Sequence, residues 1–185
     1  MKFHRKTLAA TVFLAAAGIS GIASAERIKM VGGAAMYPSR NIIQNAVHSK
    51  DNTTLVAAVN AAGLVDTLEG PGPFTVFAPT NEAFAQLPPG TVDTLLKLEN
   101  NGELTSILTY HVVPGRLTTA DLRKAVEEGG GQATFNTLEG EPLRITEKGR
   151  AIHITDSKGR AARITIADVL QSNGVIQVIN KVLMP

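Results

Sequence analysis

From Gln132 the apolar pattern of this chain switches to a period of two. Leu143 and Ile145 alternate with Arg144 and Thr146, Ile152 and Ile154 with His153 and Thr155, and Ile164 and Ile166 with Arg163 and Thr165. A period of two marks a strand with one buried face. Lys148-Gly149 and Ser157-Lys158-Gly159 separate the runs with turn-forming residues. The segment is therefore expected to form an antiparallel meander. Its last strand, Val175-Ile176-Gln177-Val178-Ile179-Asn180, follows Asn173-Gly174, a pair that favours a type I′ hairpin with positive φ.

Upstream the pattern is helical. Ser39 is expected as the N-cap of a helix whose Ile42, Ile43, Ala46 and Val47 share one face. A second helix is expected from Thr53 to Ala62, with Leu55, Val59 and Ala62 inward and Gly63 as its stop. After the break at Gly70-Pro71-Gly72-Pro73, Phe74 to Ala78 reads as a strand buried on both sides. Thr80 then caps a short helix that ends before Pro88-Pro89. Further helical stripes are Val92, Leu95 and Leu96, then Leu104, Ile107 and Leu108. Another helix, capped by Thr118 or Thr119, is expected to run to about Glu127. Helices first and strands later give an α+β domain, expected over residues 38–185. Residues 26–37, with Gly32-Gly33 and no clear period, are expected as an unpacked lead-in.

Residues 1–25 have the layout of a secretory signal peptide. Lys2, His4, Arg5 and Lys6 precede an apolar stretch from Leu8 to Ile22, and Ala23-Ser24-Ala25 supplies a small-x-small cleavage site. The stretch is about 15 residues, short of the roughly 20 that span a bilayer. Cleavage after Ala25 would leave 15 basic and 16 acidic side chains, a net charge of −1 against +2 for the whole chain. The isoelectric point near 9.0 therefore belongs largely to the leader, and it does not indicate a nucleic-acid partner. Cysteine is absent, which excludes thiolate metal sites and thiol nucleophiles. The expectation is a secreted or periplasmic protein with no transmembrane segment after cleavage.

Three blocks carry a resemblance: Thr75 to Leu87, Tyr110-His111-Val112-Val113-Pro114-Gly115, and Asn173 to Pro185. In order and spacing they resemble a fasciclin domain of the bacterial single-domain secreted type. The resemblance implies a wedge-shaped β-sandwich with several helices packed along one side. It also implies an extracellular or surface-exposed module associated with cell adhesion and matrix contacts. No catalytic residues belong to the pattern, and neither a cofactor nor a metal is expected for this chain. This chain departs from it at Gln177 and Asn180, where many members carry His and Asp. Both replacements keep hydrogen-bonding capacity and lose a titratable group.

Within that frame Tyr110 and His111 are candidates for partner binding, because a Tyr-His segment in animal members is linked to receptor contacts. The alternative is that both brace the junction between a helix and the next strand. Thr80-Asn81-Glu82 reads mainly as capping, with anion binding at the helix start as the alternative. Asn173 and Gly174 are read as a structural turn. Residues 141–185 hold seven Lys or Arg against four Asp or Glu, whereas residues 26–140 hold eight against twelve. Arg144, His153 and Arg163 fall at outward positions and suggest a cationic face for an anionic glycan or lipid headgroup. Protection of exposed sheet surface explains the same charges. His48, His111 and His153 lack metal-ligand spacing, and no Gly-x-Ser-x-Gly elbow occurs. Asn52-Thr53-Thr54 matches a glycosylation sequon and reads as a helix start. The reading is a non-enzymatic binding module for a surface protein or polysaccharide receptor. The alternatives are a periplasmic lipid or sugar carrier with an apolar cleft between helices and sandwich, and an unrecognised hydrolase.

Overall fold

The computed structural model describes residues 28–185; the expected signal peptide lies outside them. Nine strands and seven α-helices occur in this stretch: β1 (Lys29–Val31), β2 (Ala34–Met36), α1 (Ile42–Ala46), α2 (Thr53–Ala61), α3 (Val65–Glu69), β3 (Phe74–Pro79), α4 (Asn81–Ala85), α5 (Thr91–Leu95), α6 (Asn101–Tyr110), β4 (Val112–Pro114), α7 (Thr119–Glu128), β5 (Gln132–Asn136), β6 (Pro142–Lys148), β7 (Ala151–Thr155), β8 (Ala161–Gln171) and β9 (Gly174–Ile179).

The meander forms as its alternation requires. Strands β5 to β9 pair antiparallel in sequence order, and the sheet continues through β3 to β4, in the order β4-β3-β9-β8-β7-β6-β5. β3 joins β9 in parallel, with Val76 beside Ile176 and Ala78 beside Val178. β8 is eleven residues long. Register shifts between Ile164 and Ile166 and between Ile166 and Val169 bend it. Its first part pairs with β7 and the rest with β9, so the sheet folds over itself into a sandwich. At the far edges Leu138, in the turn after β5, donates its N–H to the Val112 carbonyl of β4 at 2.8 Å.

Two apolar clusters fill the domain. One lies between the sheet halves and α7, around Phe77, Tyr110, Leu122, Leu143, Ile145, Ile154, Ile179 and Leu183. The other lies under the helical layer, around Ile42, Leu55, Val59, Leu68, Val76, Ala78, Leu104 and Ile176. β3 contributes Phe77 to the first and Val76 and Ala78 to the second. This is why its sequence is apolar on both faces.

Several local expectations are corrected. Residues 29–36 are not an unpacked lead-in. They form the β1–β2 hairpin about Gly32-Gly33, at φ 56° and 77°, and bury Val31 and Met36. The type I′ signature therefore sits here. At the β8–β9 turn, Ser172, Asn173 and Gly174 all lack positive φ. Gly174 is required for another reason. A Cβ there would stand 2.1 Å from the Phe74 carbonyl oxygen of the adjacent parallel strand. The N-cap of α1 is Asn41, in a capping box with Gln44, rather than Ser39. Val47 is half exposed, while Asn45 is buried in its place. The Asn45 amide donates to Tyr37 O and to the Gln171 side chain, so polar pairing decides that face.

Three helix starts are satisfied by side chains remote in sequence. Asn173 Oδ1 accepts the Ile42 N–H of α1 at 3.0 Å, and its Nδ2 donates to the Leu68 and Gly70 carbonyls. Asn81 Oδ1 accepts the Thr54 N–H of α2 at 3.0 Å, while its Nδ2 donates to Lys50 O. Asp168 Oδ1 accepts the Thr119 N–H of α7 at 2.7 Å. Each bond satisfies an orphan donor of a first helical turn and ties that helix to a distant part of the chain.

Candidate interaction face and the buried Tyr-His pair

Tyr110 ends α6 and His111 follows it into β4. Both are buried, at 0% and 2% exposure, so neither side chain offers a contact surface. The Tyr110 hydroxyl donates to Pro142 O at 3.1 Å and accepts the Ser157 N–H at 2.9 Å. The Leu183 N–H donates to His111 Nε2 at 3.0 Å. Nε2 must therefore hold a lone pair, and Nδ1 carries the proton that it donates to Ile107 O at 2.8 Å. Burial pushes the imidazole pKa down to about 4, although the Ile107 carbonyl and the Asp156 carboxylate both act to raise it. The pair links α6 to the start of β6, the β7–β8 turn and the C-terminal segment. The bracing alternative describes these contacts.

Thr80 caps α4 by accepting the Ala83 N–H at 3.2 Å. The hollow in front of it, about 100 Å³, is lined by Asp51, Thr80, Asn81 and Glu82. Two carboxylates there disfavour an anion. Asn52 of the sequon is buried. Its amide donates to Pro79 O, and its oxygen accepts from Ser49 Oγ.

The outer face of β6, β7 and β8 differs from these interior sites. Arg144 pairs with Thr155 in register, His153 with Thr146 on one side and with Arg163 on the other. Residues paired in register share a face, with Cβ atoms roughly 4.5–5.5 Å apart, so the three cationic or titratable side chains occupy one contiguous patch. Arg144 and Arg163 are exposed and His153 is half buried. Neither arginine has an ion pair among the described residues; the pairs present are Arg123–Glu147, Lys124–Glu128 and Arg160–Asp156. His153 Nδ1 is buried without a hydrogen-bond partner among the described residues. Arg160 is drawn out of the cationic set, because its Nε bonds the fully buried Asp156 carboxylate at 2.9 Å.

Sequence reasoning missed Asp168. This residue is held at φ 53°, the left-handed region, which is uncommon outside glycine. No local pattern announces it, since Thr119 lies 49 residues away and Gln177 is brought opposite only by the β8–β9 pairing. Burial works to raise its carboxyl pKa. The bonds from Thr119 and Gln177 outweigh burial and hold it below the usual carboxylate value.

The family model of the fasciclin domain matches residues 50–185. Protein sll1483 of Synechocystis is 44% identical, over 86% of this chain and 82% of its own. Immunogenic protein MPB70 of Mycobacterium bovis is 34% identical, over 98% of this chain and 97% of its own. Among solved structures, the FAS1 domain pair of the insect cell adhesion molecule fasciclin I aligns with a TM-score of 0.71 at 20% identity. That alignment covers 79% of this chain and 51% of the pair. Together with the folded-over sheet and its helical layer, these matches establish that the chain belongs to the fasciclin domain family.

Proposed function

We propose that this protein is an exported fasciclin module that acts by non-covalent binding in adhesion or surface association, through the outer face of β6–β8. The observation that carries the reading is the exposed pair Arg144 and Arg163, flanking His153 and free of ion pairs among the described residues. Unpaired arginines on an open sheet suit planar anionic groups, which they bind in bidentate fashion. The partner class is an anionic polysaccharide or an acidic surface receptor. Fasciclin I, named as a cell adhesion molecule, supports adhesion as the setting. Tyr110 and His111 enter the function by holding the sheet together. The test is binding of the purified protein to immobilised sulfated and carboxylated polysaccharides, compared with a doubly substituted Arg144→Glu, Arg163→Glu protein. The double variant is expected to lose at least tenfold in affinity while its circular dichroism is unchanged. Equal binding by both proteins would remove the face from the function.

A further inference from the structure

The β1–β2 hairpin turns one face inward and the other outward. Val31 and Met36, with Lys29 and Ala34 beside them in register, take the inner face and bury their side chains in the core. Met30 and Ala35 pair on the opposite face, and the period of two sets Ile28 and Tyr37 next to them. This outer face is left uncovered: Ile28, Met30 and Tyr37 are 52%, 57% and 40% exposed. Six large apolar side chains are exposed among the described residues, and half of them stand on this one short hairpin. Such a concentration marks a contact surface, where scattered single residues would not.

Cations border the face. The Arg40 guanidinium lies over the Tyr37 ring, 4.9 Å from its centroid. The Ser172 N–H donates to the Arg40 carbonyl, and Arg116 Nη2 donates to the Gln171 and Ser172 carbonyls, so both arginines meet at the end of β8. Both are exposed, and neither has an ion pair among the described residues. The nearby Asp168 carboxylate is engaged by Thr119 and Gln177. Charge along the chain agrees: residues 26–50 hold four Lys or Arg against one Glu, whereas residues 51–140 hold four against eleven Asp or Glu. We propose that this face docks on an anionic lipid surface, with Ile28, Met30 and Tyr37 entering the headgroup region and Arg40 and Arg116 against the lipid phosphates. Tyrosine suits that depth, having an apolar body and a polar tip. Apolar insertion and attraction to acidic headgroups reinforce each other. A stable protein–protein interface takes about 20–30 residues a side, and three apolar side chains with a cationic border match a bilayer surface better. The hairpin is separate from the Arg144–Arg163 face and does not depend on that reading.

The chain holds no tryptophan, so Met30→Trp places a single fluorescent reporter on the face. The protein is recovered after export and mixed with vesicles of equimolar phosphatidylcholine and phosphatidylglycerol. Its emission is expected to move to shorter wavelength and to be quenched by brominated lipid. Leu98→Trp, at another exposed apolar residue, is expected to show neither effect. Vesicles of phosphatidylcholine alone are expected to bind at least tenfold more weakly. Ile28→Asp with Tyr37→Asp, added to Met30→Trp, is expected to abolish the shift while circular dichroism is unchanged. Arg144→Glu with Arg163→Glu in the same background is expected to retain it, which separates this face from the arginine face. An unshifted Met30→Trp emission, an equal shift in Leu98→Trp, or an equal response to both kinds of vesicle would overturn the proposal. A shift that grows with protein concentration in the absence of vesicles would overturn it too, by making the face a contact between copies of the chain.

Discussion

Gln177 and Asp168 are interlocked across the β8–β9 pair. The Asp168 N–H donates to Gln177 Oε1 at 2.9 Å, and Gln177 Nε2 donates to Asp168 Oδ1 at 3.0 Å and to Leu117 O at 3.1 Å. Gln177 is fully buried. Its amide uses donor and acceptor together, so this position needs hydrogen-bonding shape and no charge. Asp168 then caps α7 through Thr119, so a single side chain joins the bent strand to the helix covering the sandwich.

Asp168→Ala is expected to destabilise the domain by about 2–3 kcal/mol. It leaves the Thr119 N–H and the Gln177 amide without their acceptor, and it keeps a Cβ in the left-handed region. Asp168→Gly loses the same bonds and tolerates the backbone, so it is expected to be more stable than the alanine variant by about 1 kcal/mol. Urea titration of both proteins measures the difference. Equal midpoints would mean that the backbone conformation carries no cost.

His111 predicts a specific acid sensitivity. Its pKa is lowered from 6.5 when unfolded to about 4 when folded, so the unfolded chain binds the extra proton between these values. Its contribution is neutral above pH 6.5. Stability falls as pH drops from 6.5 to about 4, by an amount of order 3 kcal/mol, and then levels. In His111→Gln the slope in this window is expected to shrink by about one proton, alongside a general loss of stability. An unchanged slope would show that the folded ring is protonated.

Tyr110→Phe keeps the packing and removes the hydroxyl that serves both Pro142 and Ser157. A cost of about 1–3 kcal/mol is expected from the two unmet backbone groups. The amide of Ser157 should lose protection in hydrogen exchange. Retained protection at that amide would contradict the assigned bond.

Gly174→Ala tests the close approach of two parallel strands. The added Cβ cannot coexist with the Phe74 carbonyl oxygen at 2.1 Å, and the backbone must shift at a cost of about 2 kcal/mol or more. Thermal melting reports it, and a melting temperature equal to wild type would show that β3 and β9 separate freely.

How much of this was legible in the sequence follows from the range of the forces involved. Alternation in 143–166 specified strands and their buried faces because each buried side chain reports its own face. The apolar run of β3 announced burial on both sides. Asn173-Gly174 was visible as a motif, but its cause was not. A type I′ turn and a close approach both demand glycine, and only the parallel neighbour distinguishes them. Gly32-Gly33 between Val31 and Ala34 carried the hairpin signal that the lead-in reading passed over. The long-range caps from Asn81, Asn173 and Asp168 have no local period to reveal them. For Tyr110 and His111 the flanking Leu108, Val112 and Val113 indicated burial, while the partners Pro142, Ser157 and Leu183 come from the fold alone. Arg144, His153 and Arg163 were placed outward by phase, and pairing in register adds that they are neighbours.

The most direct measurement of the proposed function is a binding isotherm on an immobilised anionic polysaccharide at two salt concentrations, for wild type, for Arg144→Glu with Arg163→Glu, and for Tyr110→Phe. Wild type and Tyr110→Phe are expected to bind alike and to weaken as salt rises, since screening shortens the reach of exposed charge to about 8 Å at physiological strength. The doubly charge-reversed protein is expected to bind at least tenfold more weakly while remaining folded. Salt-independent binding, or undiminished binding by the charge-reversed protein, would contradict an arginine-lined sheet face as the contact surface.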